Sequence, residues 1–165
     1  ALALAAFTGS AHAAFTGSAH AATVDDSFRV SIEIRESFTL NVSSAAVAFG
    51  QVNRSAASDA GSTVSVTCTT GTPWVLGLNN GQNASGAAVT ATNRRMSSGS
   101  GFVPYGLYRD TNRTQLFGST AGTDTASGTG TGSAQSVAIF GRVSAAATNV
   151  AAGTYQDTVV AQVTY

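Results

Sequence analysis

The segment Val24-Asp25-Asp26-Ser27-Phe28-Arg29-Val30-Ser31-Ile32-Glu33-Ile34-Arg35-Glu36-Ser37-Phe38-Thr39-Leu40-Asn41-Val42 decides how this chain is organised. Its even-numbered positions carry Val24, Phe28, Val30, Ile32, Ile34, Phe38, Leu40 and Val42, while every odd-numbered position is polar. Successive side chains on a strand point to opposite faces, so strict period-two alternation predicts an amphipathic strand. The run is much longer than the usual strand of about 5–6 residues. Glu36 interrupts the apolar face, which predicts two strands in series, Val24–Ile34 and Phe38–Val42.

Further strands are expected beyond this run. Val47-Ala48-Phe49-Gly50 reads as a short edge strand and 53–62, rich in Ser, Ala, Asp and Gly, as a loop. Thr63–Cys68 alternates again, with Val64, Val66 and Cys68 on one face. Trp74, Leu76 and Leu78 line the next strand, which ends at Asn79-Asn80-Gly81, a hairpin-type turn. A weaker strand is expected over Val89–Met96, then Val103–Arg109, a short one at Thr114–Phe117, and Ser136–Val143. Gly118–Ser133 is low in complexity and reads as a long loop or hairpin tip. Thr154–Tyr165 alternates through Tyr155, Asp157, Val159, Ala161 and Val163. No segment has helical periodicity, and many short strands separated by turn signals predict an all-β sandwich.

Composition narrows the function. The chain has 165 residues, 10% charged, no lysine and a formal net charge of +0. A nucleic-acid binder would show clustered basic residues; the one basic doublet, Arg94-Arg95, reads as loop surface. No apolar run is long enough for a membrane-spanning helix. Residues 1–21 contain the tandem repeat Ala-Phe-Thr-Gly-Ser-Ala-His-Ala and small-x-small sites that fit signal-peptide cleavage, so this stretch is expected to be a signal remnant or tail. His12 and His20 occur only there, without carboxylate or thiol company, and are weak metal ligands by that standard. No histidine lies in the body, so no Ser–His–Asp or Cys–His arrangement can be built in it. Asp110 reads as a turn cap, and Asp157, on the apolar phase of the last strand, as a structural carboxylate. No enzyme activity, metal or cofactor is expected.

Strand arithmetic supplies a mechanism. An immunoglobulin-like sandwich needs about seven strands; from Phe38 onward the sequence offers roughly six main ones, and none is read after Thr154–Tyr165. A missing final strand leaves bare backbone groups and exposed core along a groove. Val24–Ile34 is a strand without a place in its own sandwich. The expectation is therefore an incomplete immunoglobulin-like sandwich, residues 36–165, completed by the donor strand 22–35 of a neighbouring subunit. Head-to-tail contacts of this kind grow open filaments. The expected plugs are Val24, Phe28, Val30, Ile32 and Ile34, and the expected acceptor groove is walled by Leu40, Val159, Ala161 and Val163. The competing arrangement is a monomer in which Val24–Ile34 closes its own groove.

Several blocks carry a resemblance. They are Val64-Ser65-Val66-Thr67-Cys68, Arg94-Arg95-Met96-Ser97, Pro104-Tyr105-Gly106-Leu107-Tyr108-Arg109-Asp110, Ala138-Ile139-Phe140-Gly141-Arg142-Val143 and Ala152-Gly153-Thr154-Tyr155-Gln156-Asp157-Thr158-Val159, with Ser37-Phe38-Thr39-Leu40 and Ala48-Phe49-Gly50 ahead of them. Together they resemble the spore coat protein U-like family, which includes subunits of archaic (Csu-type) chaperone–usher pili. The resemblance implies a donor-strand pilin that partners identical or related subunits, a periplasmic chaperone and an outer-membrane usher. It also implies export through the periplasm to an extracellular, cell-surface fimbrium serving adhesion and biofilm formation. With only a donor strand before the body, the chain looks like a stalk or adaptor subunit. The family usually pairs the cysteine of the Val-Thr-Cys block with one on the first body strand; here Phe38 stands at that position, which leaves Cys68 as a packed core thiol. Two rival functions are a carbohydrate-binding sandwich using the loops Gly99–Phe102 and Gly118–Ser133, and a spore or cell coat matrix protein.

Overall fold

A computed structural model describes residues 29, 31–33, 35, 37–41, 46–99 and 101–165. The chain divides into two units, Ala1–Glu33 and Ile34–Tyr165. In the first unit the described residues Arg29, Ser31, Ile32 and Glu33 are exposed and in no strand, with Ile32 85% exposed. Val24, Phe28, Val30 and Ile34, like the tandem repeat with His12 and His20, lie outside the described residues.

Among its described residues the second unit contains eight strands: β1 (Phe38–Asn41), β2 (Ser58–Cys68), β3 (Pro73–Leu78), β4 (Arg94–Ser97), β5 (Phe102–Tyr108), β6 (Ala126–Thr129), β7 (Ala134–Val143) and β8 (Ala161–Thr164). They form a five-stranded sheet in the order β1-β2-β7-β5-β4 and a three-stranded sheet in the order β6-β3-β8, with every pairing antiparallel. Among the described residues there is no helix.

This order matches an immunoglobulin-like domain. That fold places strands A, B, E and D in one sheet and C, F and G in the other. In chain order, β1, β2, β3, β5, β7 and β8 occupy the positions of A, B, C, D, E and F, with β4 and β6 as additional edge strands. Trp74, buried on β3, stands where such domains carry their buried strand-C tryptophan, and its Nε1 donates to Gln135 Oε1 at 3.3 Å. Tyr155, ahead of β8, donates its hydroxyl to the Ala151 carbonyl at 2.8 Å, the form of a tyrosine corner. The position of strand G, on the side of β8 away from β3, holds no strand among the described residues.

Period-two burial explains the core. Val64, Val66 and Cys68 of β2, Trp74, Leu76 and Leu78 of β3, Val103, Tyr105 and Leu107 of β5, and Ile139 and Val143 of β7 meet around Phe117. Gly128 of β6 sits over the Trp74 ring, where a Cβ would collide with the indole.

The structure corrects several sequence expectations. Ser58–Ser62 is not loop but the first half of β2, because β7 offers it a backbone ladder from Val143 to Ile139. Gly118–Ser133 contains β6, paired with β3 from Pro73 to Leu76. Val47–Gly50 joins no ladder, and Gly50 takes a left-handed conformation at φ +69. Residues 89–93 form no strand and pairing begins only at Arg94; Thr114–Phe117 reduces to one bridge, Tyr108↔Leu116. Asn79-Asn80-Gly81 turns the chain without making a hairpin, since β3 pairs with β6 and β8.

The Arg94-Arg95 doublet is not loop surface. Arg94 is fully buried, and its guanidinium donates to the carbonyls of Leu78 and Asn79 at 2.7–2.9 Å, capping the end of β3. Desolvation lowers its pKa from the usual range. Arg95 lies over the Phe102 ring at 4.2 Å and donates to the Asn83 carbonyl.

Candidate functional site

The site is the open seam between the two sheets, bordered by β1 and β8. Each is the outermost strand of its sheet. They meet at one end, where the Phe38 and Tyr165 rings stack at 4.9 Å with an interplanar angle of 13°.

Ladder phase tells which backbone groups face the seam. Antiparallel pairs alternate between residues that exchange hydrogen bonds and residues that do not. Thr69 donates its N–H to the Ser37 carbonyl, so Phe38↔Cys68 and Leu40↔Val66 are the non-bonded pairs, and Phe38 and Leu40 turn their backbone groups outward. Asn79 donates to the Val160 carbonyl; by the same alternation Ala161 and Val163 turn theirs away from β3. Two rows of backbone donors and acceptors therefore border the seam.

The side chains along it are only half covered. Phe38, Leu40, Val47 and Phe49 from the first edge, and Tyr155, Val159, Ala161 and Val163 from the last, pack against the core without being sealed. Between them opens a cleft of about 410 Å³, floored by Val64, Leu78, Leu107 and Ile139 and walled by Phe49, Met96, the run from Tyr155 to Val159, and Ala161. A second cleft, of about 750 Å³, continues past Tyr155 toward Thr148 and shares Val47, Phe49 and Met96.

One polar cluster interrupts this apolar lining. Asp157 Oδ2 accepts from the Tyr105 hydroxyl at 2.7 Å, and Oδ1 accepts from the Gln82 N–H at 3.0 Å, the Asn83 N–H at 3.2 Å and Asn83 Nδ2 at 3.1 Å. Gly81, at φ +80, leaves room for this carboxylate, which any Cβ there would strike. Burial, then the hydrogen bond to Asp157, pushes the Tyr105 phenol far above its usual range. Asp157 thus fastens the last strand run to the 81–83 turn, the structural role its position in the sequence implied. Asp110 likewise caps a turn, accepting from the N–H groups of Gln115 and Thr114, which hold its carboxyl below the usual range.

Of the sequence-expected acceptor residues, Leu40 lies on β1, Val159 immediately before β8, and Ala161 and Val163 on β8; all four are half-buried beside the seam. Sequence reasoning missed Val47, Phe49 and Met96 as part of the wall, although Val47 and Phe49 do alternate with exposed Ala46, Ala48 and Gly50. Phe38 stands opposite Cys68 in the β1–β2 register, as the family comparison of the cysteines implied. Cys68 is free and buried, and desolvation raises its thiol pKa. Among the described residues no cluster of His, Cys, Asp and Glu could hold a metal ion.

These features define a class: an immunoglobulin-like sandwich in which, among the described residues, no strand fills the last-strand position beside a half-buried apolar row. The Spore Coat Protein U domain matches residues 24–162, and the chain belongs to that family. Its fold is similar to a chain in the crystal structure of the CsuC–CsuE chaperone–tip adhesion subunit pre-assembly complex from archaic chaperone–usher Csu pili of Acinetobacter baumannii. The similarity has a TM-score of 0.59 at 23% identity and covers 80% of this chain and 40% of that one, so this chain spans less than half the length of its structural match. No curated protein sequence matches the chain.

Proposed function

We propose that this chain is a structural subunit of a chaperone–usher pilus, polymerising by donor-strand exchange. The Val24–Ile34 strand of one copy fills the seam of the next, and the filament reaches the cell surface through the periplasm with the help of a chaperone and an outer-membrane usher. The role is structural, not enzymatic, and serves adhesion and biofilm formation.

The observation that carries this reading is the strand-G position beside β8, which no strand fills among the described residues, matched by a segment of complementary sequence pattern. The seam offers outward backbone groups at Leu40, Ala161 and Val163 and a half-buried apolar row. The segment Val24–Ile34 offers alternate apolar side chains. Burying Phe28, Val30, Ile32 and Ile34 would contribute about 1.5–3 kcal/mol each. Ladder hydrogen bonds would add about 0.5–1.5 kcal/mol each, net. Ordering and association offset part of this. The family membership and the similarity to a chain from a chaperone–pilus subunit complex support the same reading.

Electron microscopy of the purified full chain, beside Ile32→Asp and a deletion through Ile34, tests it. The wild type is expected to form thin regular fibres and both variants none. A wild type that stays monomeric, or an Ile32→Asp variant with normal fibres, overturns the proposal.

A further inference from the structure

We infer that the donor strand of a second copy docks antiparallel to β8 in one register, with Phe28 opposite Val163, Val30 opposite Ala161, Ile32 opposite Val159 and Ile34 opposite Asp157. This rests on the strand-exchange reading above and specifies how the strand seats.

Direction comes from the fold. Strand G of an immunoglobulin-like sheet runs antiparallel to F, so an occupant that completes the sheet runs antiparallel to β8. Phase comes from the side chains. Tyr155, Asp157, Val159, Ala161 and Val163 face inward, and Ala161 and Val163 turn their backbone groups away from β3. The apolar face of the donor holds the even-numbered positions, so even donor residues must lie opposite odd β8 residues. A slip of one residue would put Asp25, Ser27 and Arg29 into the core.

The carboxylates then select among the remaining registers. Asp26 and Glu36 share the inward phase of the donor. Seating Val30 opposite Val159 places Asp26 opposite half-buried Val163, where its charge would be desolvated without a partner. Seating Val30 opposite Val163 places Glu36 opposite Asp157, carboxylate against carboxylate, on an Asp157 whose oxygens already serve Tyr105, Gln82 and Asn83. Seating Val30 opposite Ala161 avoids both. Asp26 then reaches the end of the seam beside Tyr165, which is 61% exposed, and Glu36 passes Tyr155 in the linker to its own body. The larger Val30 also meets the smallest inward side chain of β8.

Paired residues in this register exchange hydrogen bonds, with Cα atoms about 5.5 Å apart, a separation that a disulfide can span. The test uses full-length double variants, oxidised after assembly and run on non-reducing gels, with fibres checked by electron microscopy. Val30→Cys/Ala161→Cys, and independently Ile32→Cys/Val159→Cys, are expected to give ladders of covalent multimers. Ile32→Cys/Ala161→Cys and Val30→Cys/Val159→Cys are expected to give at least tenfold less. Ladders from the latter two overturn the register and leave strand exchange standing; both together would mark a donor parallel to β8. Fibres that cross-link through none of the four pairs overturn the register as well. A cross-link at Val30→Cys/Ala161→Cys within a single chain, without multimers, keeps the register and overturns exchange between copies.

Discussion

The centre of the five-stranded sheet and its outer border are made of similar residues but finished differently. At the centre, β2 and β7 pair over ten residues from Ser58↔Val143 to Thr67↔Ala134, and Val64, Val66 and Ile139 beneath them are almost fully buried. At the border, β1 pairs over only four residues, and Phe38 and Leu40 remain half covered, as do Val159, Ala161 and Val163 across the seam. The apolar alternation is as regular on the last run as on β2. What differs is the neighbour: among the described residues β2 has strands on both sides, whereas β1 and β8 each have one. A regular pattern with half-finished burial is the feature on which the proposed strand exchange rests.

Truncation breaks this contrast most directly. Leu76→Ala, in the sealed core, is expected to lower stability by about 2–5 kcal/mol. Val163→Ala is expected to cost well under half of that in Ile32→Asp, the variant expected to remain unpolymerised. Urea unfolding of the two changes in that background checks the difference. Equal losses would mean the seam is already filled within one chain.

Phe38→Cys sharpens the comparison by converting the border into a covalent one. Phe38 and Cys68 are a non-hydrogen-bonded pair, whose Cα separation of about 4.5 Å lies within disulfide range. Closing the loop between them contributes about 3–4 kcal/mol in the chain-entropy account, and loss of the stack with Tyr165 removes about 0.5–1.5 kcal/mol. A net gain of about 2 kcal/mol in the same unpolymerised background, abolished by reductant, is expected, together with no titratable thiol after oxidation.

Asp157→Ala is next in size. It leaves the Tyr105 hydroxyl and the Asn83 N–H without their acceptor, while the Gln82 N–H keeps its bond to the Thr158 carbonyl. Orphaned buried donors of this kind cost about 1–3 kcal/mol. Denaturant midpoints of Asp157→Ala and Asp157→Asn check it; the amide keeps an acceptor and is expected to lose less.

How far this was legible in the sequence depends on what each residue could signal. β3, β5, β7 and the second half of β2 carry inward Val, Leu, Ile or Trp at alternate positions, and their phase alone reveals them. Ser58–Ser62 and Ala126–Thr129 are strands only because β7 and β3 lie beside them; Ser, Ala, Gly and Thr side chains bury too little apolar surface to show a phase. The seam was legible because Leu40, Val159, Ala161 and Val163 keep their alternation. Its Val47–Phe49 wall has the alternation of a short edge strand yet no ladder, because alternation reports which way side chains point and says nothing of a ladder partner. Buried Arg94 ran against the rule that charges stay outside; its one sequence signal is that it shares a strand phase with Met96. The donor segment was read from pattern alone, and among its expected plugs only Ile32 is a described residue.

The smallest effect concerns an ionic pin between β2 and β7 at the centre. Asp59 and Arg142 stand opposite each other in the β2–β7 register, and both carboxylate oxygens accept from the guanidinium at 2.7 Å. Arg113 approaches the same carboxylate at 3.3 Å. The hydrogen bonds from Arg142 lead, with help from the two positive charges, in holding the Asp59 carboxyl below its ordinary 3.8, against a smaller opposing effect of burial. A carboxyl with a lowered folded-state pKa contributes stability above its unfolded value and loses it as pH falls through the folded value. Asp59→Asn is therefore expected to melt slightly below wild type near neutrality and to converge with it as pH falls through the lowered folded-state value. Both partners are substantially exposed, so the gap is expected to be small and to shrink with added salt. Melting curves from pH 2 to 7 at low and high salt check this. A gap that persists in acid would show that Asp59 acts through packing, leaving the long ladder itself, without an ionic pin, to hold the register of the sheet centre.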